Sequence, residues 1–215
     1  MLQLYSYWRS SCSWRVRCAL NLKGMDYEIV PVHLLRDGGE QHRPGYRALN
    51  PQGLVPLLVD GGFRLGQSLA ILQYLEARNP APALVPTDPQ EAARMWALCQ
   101  AIACEIQPLQ NTRVLQYLAG ELGLDEPRRS AWLRHWIAAG LNAVEESLRS
   151  RPQTMFSFGD SPSLADCCLV PQLASADRFG AQGDWPRLRA VALRCAALPA
   201  FAAAHPERQP DAGKP

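Results

Sequence analysis

Up to Asn79 the chain alternates short extended runs with one-faced helical runs. Leu2, Leu4 and Tyr5–Tyr7 suit a first strand. Trp14, Val16, Cys18, Ala19 and Leu22 recur at roughly helical spacing over Ser10–Leu22, and Lys23-Gly24 supplies a stop that tolerates the left-handed closing position. Tyr27–Val32 reads as a second strand, Asp37-Gly38-Gly39 as a loop. Leu54–Asp60 and Phe63–Leu65 flank Gly61-Gly62 and predict a hairpin. Ser68–Ala77 reads as a helix with Leu69, Leu72 and Leu75 among its apolar residues and Ser68 as the expected N-cap. The order β-α-β-(α)-β-β-α predicts a small mixed sheet carrying helices.

Pro80, Pro82, Pro86 and Pro89 crowd the segment Asn79–Pro89, and that density resists both helix and central strand. The chain is therefore expected to divide into a domain over 1–80, a linker over 81–88 and an all-helical domain over 89–215. Helical patterns run over Glu91–Leu118, Arg128–Leu148, Leu164–Phe179 and Leu188–Cys195, and Ser163-Leu164-Ala165-Asp166 has capping-box spacing. The polar tail Glu207–Pro215 is expected to fray.

Composition narrows the class. With 47% hydrophobic and 20% charged residues in 215, there is material for a sizeable core. A formal charge of +2 gives no reason to expect nucleic acid or a membrane surface as partner. Met1 runs directly into a strand, and no apolar run is long enough to cross a bilayer, so a cytoplasmic location is expected. The 7 cysteines are odd in number, form no CxxC and keep no zinc spacing with histidine; no metal site is expected. Most read as reduced, buried thiols, with Cys12 the exception.

Three segments carry candidate chemistry. Ser10-Ser11-Cys12-Ser13-Trp14-Arg15 lies where a strand gives way to a helix, and helix N-termini offer unpaired N–H groups and positive potential that lower the pKa of a nearby thiol. Taken alone, such a run is also an ordinary serine-rich cap. Pro56 after Val55 opens a strand; a cis bond there would turn the Val55 backbone toward an extended peptide, although most X–Pro bonds are trans. Gly66-Gln67-Ser68 puts polar side chains at another helix N-terminus, which suits a carboxylate.

The run Ser10-Ser11-Cys12-Ser13-Trp14-Arg15-Val16-Arg17 resembles the signature of zeta-class glutathione transferases, also called maleylacetoacetate isomerases. The resemblance continues through Asn50-Pro51, Val55-Pro56, Gln67-Ser68-Leu69-Ala70-Ile71, Ile106-Gln107-Pro108-Leu109-Gln110-Asn111, Leu164-Ala165-Asp166 and Asp177-Arg178-Phe179, nearly the whole chain. It implies an α+β thioredoxin-like domain that binds glutathione, followed by an all-α domain, in a homodimer. It also implies that Val55-Pro56 is cis, that Val55 holds the cysteinyl backbone of glutathione, and that Gln67 and Ser68 take its γ-glutamyl carboxylate. Gln41, Gln107 and Asn111 match further glutathione contacts, the last two on a long first helix of the second domain. Ser10, Ser11 and Cys12 surround the sulfur, Ser10 as hydroxyl donor to the thiolate and Cys12 as a neighbour rather than the nucleophile. Arg9, Arg113 and Arg178 are the expected cations for a dicarboxylic enone substrate. The implied reaction takes maleylacetoacetate to fumarylacetoacetate in tyrosine and phenylalanine breakdown.

Other readings share these residues. Maleylpyruvate isomerase of gentisate breakdown has the same fold and mechanism. A general transferase or dehalogenase would release a conjugated or hydrolysed product, a thiol oxidoreductase would use Cys12 itself, and a binding module would need neither Arg9 nor Arg178. Arg113 also reads naturally as a solvated surface charge, and Glu105 beside an anionic ligand has no evident role.

Overall fold

In the computed structural model, which describes residues 1–213, the chain forms two compact units: Met1–Leu84 together with the chain from Ala196 onward, and Val85–Cys195. The first is built on a sheet of β1 (Leu2–Ser6), β2 (Tyr27–Pro31), β3 (Leu57–Asp60) and β4 (Phe63–Gly66), ordered β2-β1-β3-β4. β1 and β2 are parallel, which requires a crossover, and helix α1 (Ser11–Leu22) provides it. β1–β3 and β3–β4 are antiparallel, with Leu4 paired to both Ile29 and Leu58. α2 (Pro44–Leu49) precedes the hairpin and α3 (Ser68–Arg78) follows it. Leu4, Val16, Leu20, Leu58, Ile71, Leu72 and Leu75 are wholly buried and make up the core between sheet and helices. α1 closes as its Lys23-Gly24 stop predicts: Gly24 sits at φ +60, and the N–H of Met25 reaches the carbonyl of Leu20 at 3.0 Å.

The tail departs from expectation. From Ala196 the chain packs with the first unit rather than the helical one, through α9 (Pro199–Ala204) lying against α1. It does not fray at Glu207, because its polar groups find partners. The Gln209 amide donates to the carbonyls of Ala203 and His205, and Asp211 accepts the N–H of Trp8 at 2.9 Å. Lys214 and Pro215 lie outside the described residues. The start of the expected linker is also tied down: the buried Lys23 ammonium donates to the carbonyls of Asn79 and Pro82 and pairs with Glu76 at 2.7 Å.

The second unit comprises α4 (Pro89–Gln100), α5 (Thr112–Gly120), α6 (Glu126–Arg149), α7 (Leu164–Phe179) and α8 (Pro186–Ala196). The single helix expected over Glu91–Leu118 is broken. After α4 the chain makes a π-helical turn, Ala101–Ile106, then a 3-10 turn, Gln107–Gln110, before α5 starts. Pro108 is the reason: it lacks an N–H and its ring opposes the preceding turn. The carbonyl of Leu109 is taken by the indole N–H of Trp132 at 2.8 Å, and Asn111 turns extended to cap α5, its side chain accepting the N–H of Arg113. Cys104, on the π turn, is exposed, unlike the buried Cys18, Cys99, Cys167, Cys168 and Cys195.

α6 buries Leu133, Ile137, Leu141, Val144 and Leu148, one stripe at three- and four-residue spacing. At the start of α7, Asp166 accepts both the N–H (2.7 Å) and the hydroxyl of Ser163, and the N–H of Ser157 at 3.0 Å. Burial pushes its carboxyl up from the ordinary aspartate value, and these bonds pull it back.

Gly140 lets α6 approach the π turn: a Cβ there would meet the side chain of buried Ile106 at 2.3 Å. In an exposed helix, glycine to alanine stabilises by about 0.5–1 kcal/mol. Here Gly140→Ala should instead lower the melting temperature, overpacking costing about 1–3 kcal/mol. Thermal unfolding followed by circular dichroism reads the sign.

Candidate active site

Ser10 is the N-cap of α1, at φ −69 and ψ 117, and its Oγ accepts the N–H of Ser13 at 3.2 Å. A hydroxyl has one proton and two acceptor sites. The cap uses an acceptor site, so the proton of Ser10 remains available to an anion placed beyond the helix start. Ser11 is buried and Cys12 partly buried, both in the first turn.

Three and five residues beyond Cys12 on α1 stand a pair of buried arginines that the sequence reading did not include among the site residues. Arg15 is 1% exposed and Arg17 is 0%. Nη1 of Arg15 donates to Ser68 Oγ at 3.1 Å and lies 3.8 Å from Cys12 Sγ, so one side chain links the starts of α1 and α3. Nε and Nη2 of Arg15 are buried with no hydrogen-bond partner. The clue was a pair of charged residues inside an otherwise apolar helical run.

Ser68 is not the cap the pattern predicted. It is the first residue of α3, and the cap is Gln67, held at φ +67, a conformation that costs free energy for any residue but glycine. The Gln67 side chain makes no cap bond and instead donates to Gln52 at 2.7 Å. The N-terminal N–H groups of α3 are thus left without a side-chain cap. Backbone strain and open donors at one helix start mark a place prepared for an acceptor.

Val55-Pro56 is cis, and Val55 packs beside the cluster of Val32, Tyr46 and Leu57. Gln41 is buried, its amide nitrogen donating to the carbonyl of Leu34 at 3.3 Å and its Oε1 lacking a partner. Gly39, at φ +105, makes room for it.

Arg9 lies over the Trp8 ring, 5.2 Å from its centroid. The Trp8 backbone is held from both sides: its N–H by Asp211, its carbonyl by Nη2 of Arg17 at 3.0 Å. Arg17 also donates to Ser6 Oγ and to the carbonyl of Ala204, both at 3.0 Å. Burial lowers its pKa to about 10, with Cys18, Tyr27 and Asp211 pulling it back up, so it stays charged at neutral pH.

In the second unit, Gln107 opens the 3-10 turn and Asn111 spends its side-chain oxygen on the α5 cap; neither lies on one long helix. Arg113 is exposed in the first turn of α5. Arg178 is exposed near the end of α7, over the Phe179 ring at 4.5 Å. Glu105 is exposed on the π turn.

Residues 4–83 match the glutathione S-transferase N-terminal domain, and residues 126–194 match the C-terminal domain. The chain is 51% identical to maleylacetoacetate isomerase of Pseudomonas aeruginosa over 98% of both chains. A holo structure of maleylpyruvate isomerase, a bacterial zeta-class glutathione S-transferase, superposes with TM-score 0.95 at 46% identity, covering 98% of this chain and 99% of that one. Maleylacetoacetate isomerase of Methylobacterium extorquens, solved with malonate and glutathione, superposes with TM-score 0.93 at 41% identity and the same coverage. The chain belongs to the glutathione S-transferase family. Within it, the chain falls in the zeta class, among the glutathione-dependent isomerases of the maleylacetoacetate type.

The bond from Asp211 to Trp8 ties the tail to the turn that carries Arg9 and Ser10. Asp211→Ala leaves a partly buried N–H unpaired and should cost about 1–3 kcal/mol. Asp211→Asn keeps an acceptor and should cost less. Thermal melts give the ranking, and amide exchange at Trp8 should accelerate in the alanine variant first.

Proposed function

We propose that the enzyme converts maleylacetoacetate to fumarylacetoacetate, in tyrosine and phenylalanine breakdown, as a cytoplasmic homodimer. The observation that carries the reading is Ser10: its oxygen is spent on the α1 cap and its proton is not, which is the arrangement a thiolate needs. The other groups fit glutathione. The α3 start is uncapped, Arg15 holds unpaired buried donors beside it, and Gln41 offers an unpaired acceptor. Bound glutathione supplies a thiolate whose reversible addition makes the substrate's double bond single long enough to rotate.

The chain's own residues have separate tasks on this reading. Ser10 donates to the sulfur, and the α1 N-terminus with Ser11 adds positive potential. Cys12 stands beside the sulfur without acting as nucleophile. The Val55 backbone holds the cysteinyl part, Gln67 and Ser68 take the γ-glutamyl carboxylate, and Gln41, Gln107 and Asn111 add polar contacts. Arg9, Arg113 and Arg178 meet the substrate's carboxylates and the negative charge that builds on its carbonyl oxygen, work suited to guanidinium. The dicarboxylate malonate bound to the Methylobacterium relative is consistent with such cations. Maleylpyruvate is the second reading, supported by the zeta-class relative of that name.

An isomerase assay on both substrates, with and without glutathione, tests the reaction. Glutathione should be required, S-methylglutathione should not replace it, and maleylacetoacetate should be turned over faster. Ser10→Ala should lose at least about tenfold in turnover, one charge-assisted hydrogen bond being worth about 1.5–3 kcal/mol, and its pH–rate curve should move to higher pH. Cys12→Ala should keep most activity. The reverse pattern, with Cys12→Ala dead and Ser10→Ala nearly normal, reverses the assignment and places the protein with the cysteine-dependent members of the fold.

The dimer has its own support. Tyr117, Leu122 and Trp136 of the helical unit are exposed apolar side chains that a second copy can cover. Light scattering at micromolar concentration should give twice the 23.8 kDa chain mass; a monomer refutes the assembly.

A further inference from the structure

Arg15 is almost wholly buried, yet only its Nη1 is used, at Ser68 Oγ and, more distantly, Cys12 Sγ. Nε and Nη2 have no partner, and among the described residues Arg15 forms no ion pair. A buried guanidinium whose donors lack acceptors is expensive, and a group from outside the chain can complete the set. Arg17 shows what the same helix does when the charge is structural: each of its three nitrogens has an acceptor, at Ala204, Ser6 and Trp8. The group that Arg15 touches is the first residue of α3, whose N-terminus has no side-chain cap and whose preceding Gln67 is held at φ +67. Guanidinium and helix start carry the same sign, and both call for an anion. Ser68 accepts from Arg15 with its oxygen, which leaves its single proton to be turned away from the guanidinium.

We infer that Arg15 is a positioning residue for anion recognition at the start of α3. It fixes the Ser68 hydroxyl with its proton outward and supplies the buried charge that the γ-glutamyl α-carboxylate of glutathione balances. The inference rests on the glutathione reading above and deepens it. No bond to glutathione is assigned to Arg15 itself; it acts through Ser68.

Calorimetric binding tests this without any turnover. Arg15→Met should raise the Kd for glutathione and for S-methylglutathione alike by at least about tenfold. A glutathione analogue with that carboxylate converted to the amide should bind the unsubstituted protein at least about tenfold more weakly, while Arg15→Met should hold both ligands within about threefold. In a Ser68→Ala background, Arg15→Met should add less than about threefold, because coupled groups are not additive. The melting temperature of ligand-free Arg15→Met should not fall, since an uncompensated charge has been removed. Arg15→Lys, which keeps the charge, should recover affinity to within about fivefold of the unsubstituted protein. If the methionine variant does not fold, Arg15→Gln, neutral and polar, carries the same comparison of carboxylate and amide ligands.

An unchanged Kd in a folded neutral variant overturns the inference, as do additive losses from the two substitutions. A loss seen with glutathione and absent with S-methylglutathione also overturns it, since that moves the role of Arg15 to the sulfur. If the unsubstituted protein binds no glutathione, the underlying reading falls too; if it binds and the neutral variant binds equally, this inference alone falls.

Discussion

The Arg17 guanidinium joins three parts of the first unit that are far apart in sequence. Its donors reach the end of β1 at Ser6, the turn at Trp8 and the end of α9 at Ala204. Carbonyls and a hydroxyl can accept those bonds but cannot neutralise the charge, and burial accordingly lowers its pKa to about 10. The arrangement holds because removing any one acceptor would strand a buried donor. Its consequence is that the turn carrying Arg9 and Ser10 is fixed from below by α1 and from the tail by Asp211. A cap hydroxyl on a loose turn could serve a helix; one aimed at a reacting atom has to be held.

Arg15 and Arg17 are two positions apart, so they leave α1 in different directions, and their surroundings separate structure from chemistry. Arg17 has an acceptor at each nitrogen and reads as architecture. Arg15 is used in part, beside an uncapped helix start and a strained backbone. Natural chains leave few buried donors unpaired, and those they leave concentrate where a ligand completes the set. Composition could not have separated the two residues, because both are arginines in the same helical run.

The period-two and helical runs were enough to find β1–β4, α1, α3, α6, α7 and α8, since each buries one face against a core and periodicity reports that directly. The family signature further implied a cis Val55-Pro56, which the structure contains. What the pattern missed was decided by single contacts over long sequence separations. The break after Gln100 needs Pro108 and also Trp132 reaching Leu109. The tail's return to the first unit depends on Asn21, Arg17 and Trp8 bonding to Ala200, Ala204 and Asp211. The true cap of α3 depends on a positive φ at Gln67, where a glutamine gives no local signal. On the proposed reading Ser10 is legible through its motif, whereas Arg15 is set apart only by the partners its donors lack.

On the proposed reading, the division of labour between Ser10 and Cys12 follows from what each atom can become. A thiol at the cap position could be oxidised or form a mixed disulfide with glutathione, and either product would block a cycle that returns the cofactor unchanged. A hydroxyl cannot enter that chemistry. It can only donate, and the α1 cap leaves it one proton for the purpose. Cys12 lies two residues into the helix, partly buried, with the Arg15 guanidinium at 3.8 Å. On the proposed reading, sulfur bonds are made and broken between glutathione and substrate, and the protein contributes hydrogen bonds and charge. Reversible addition followed by elimination asks for no more than that, which is why an oxidation-proof donor suits an isomerase better than a second nucleophile.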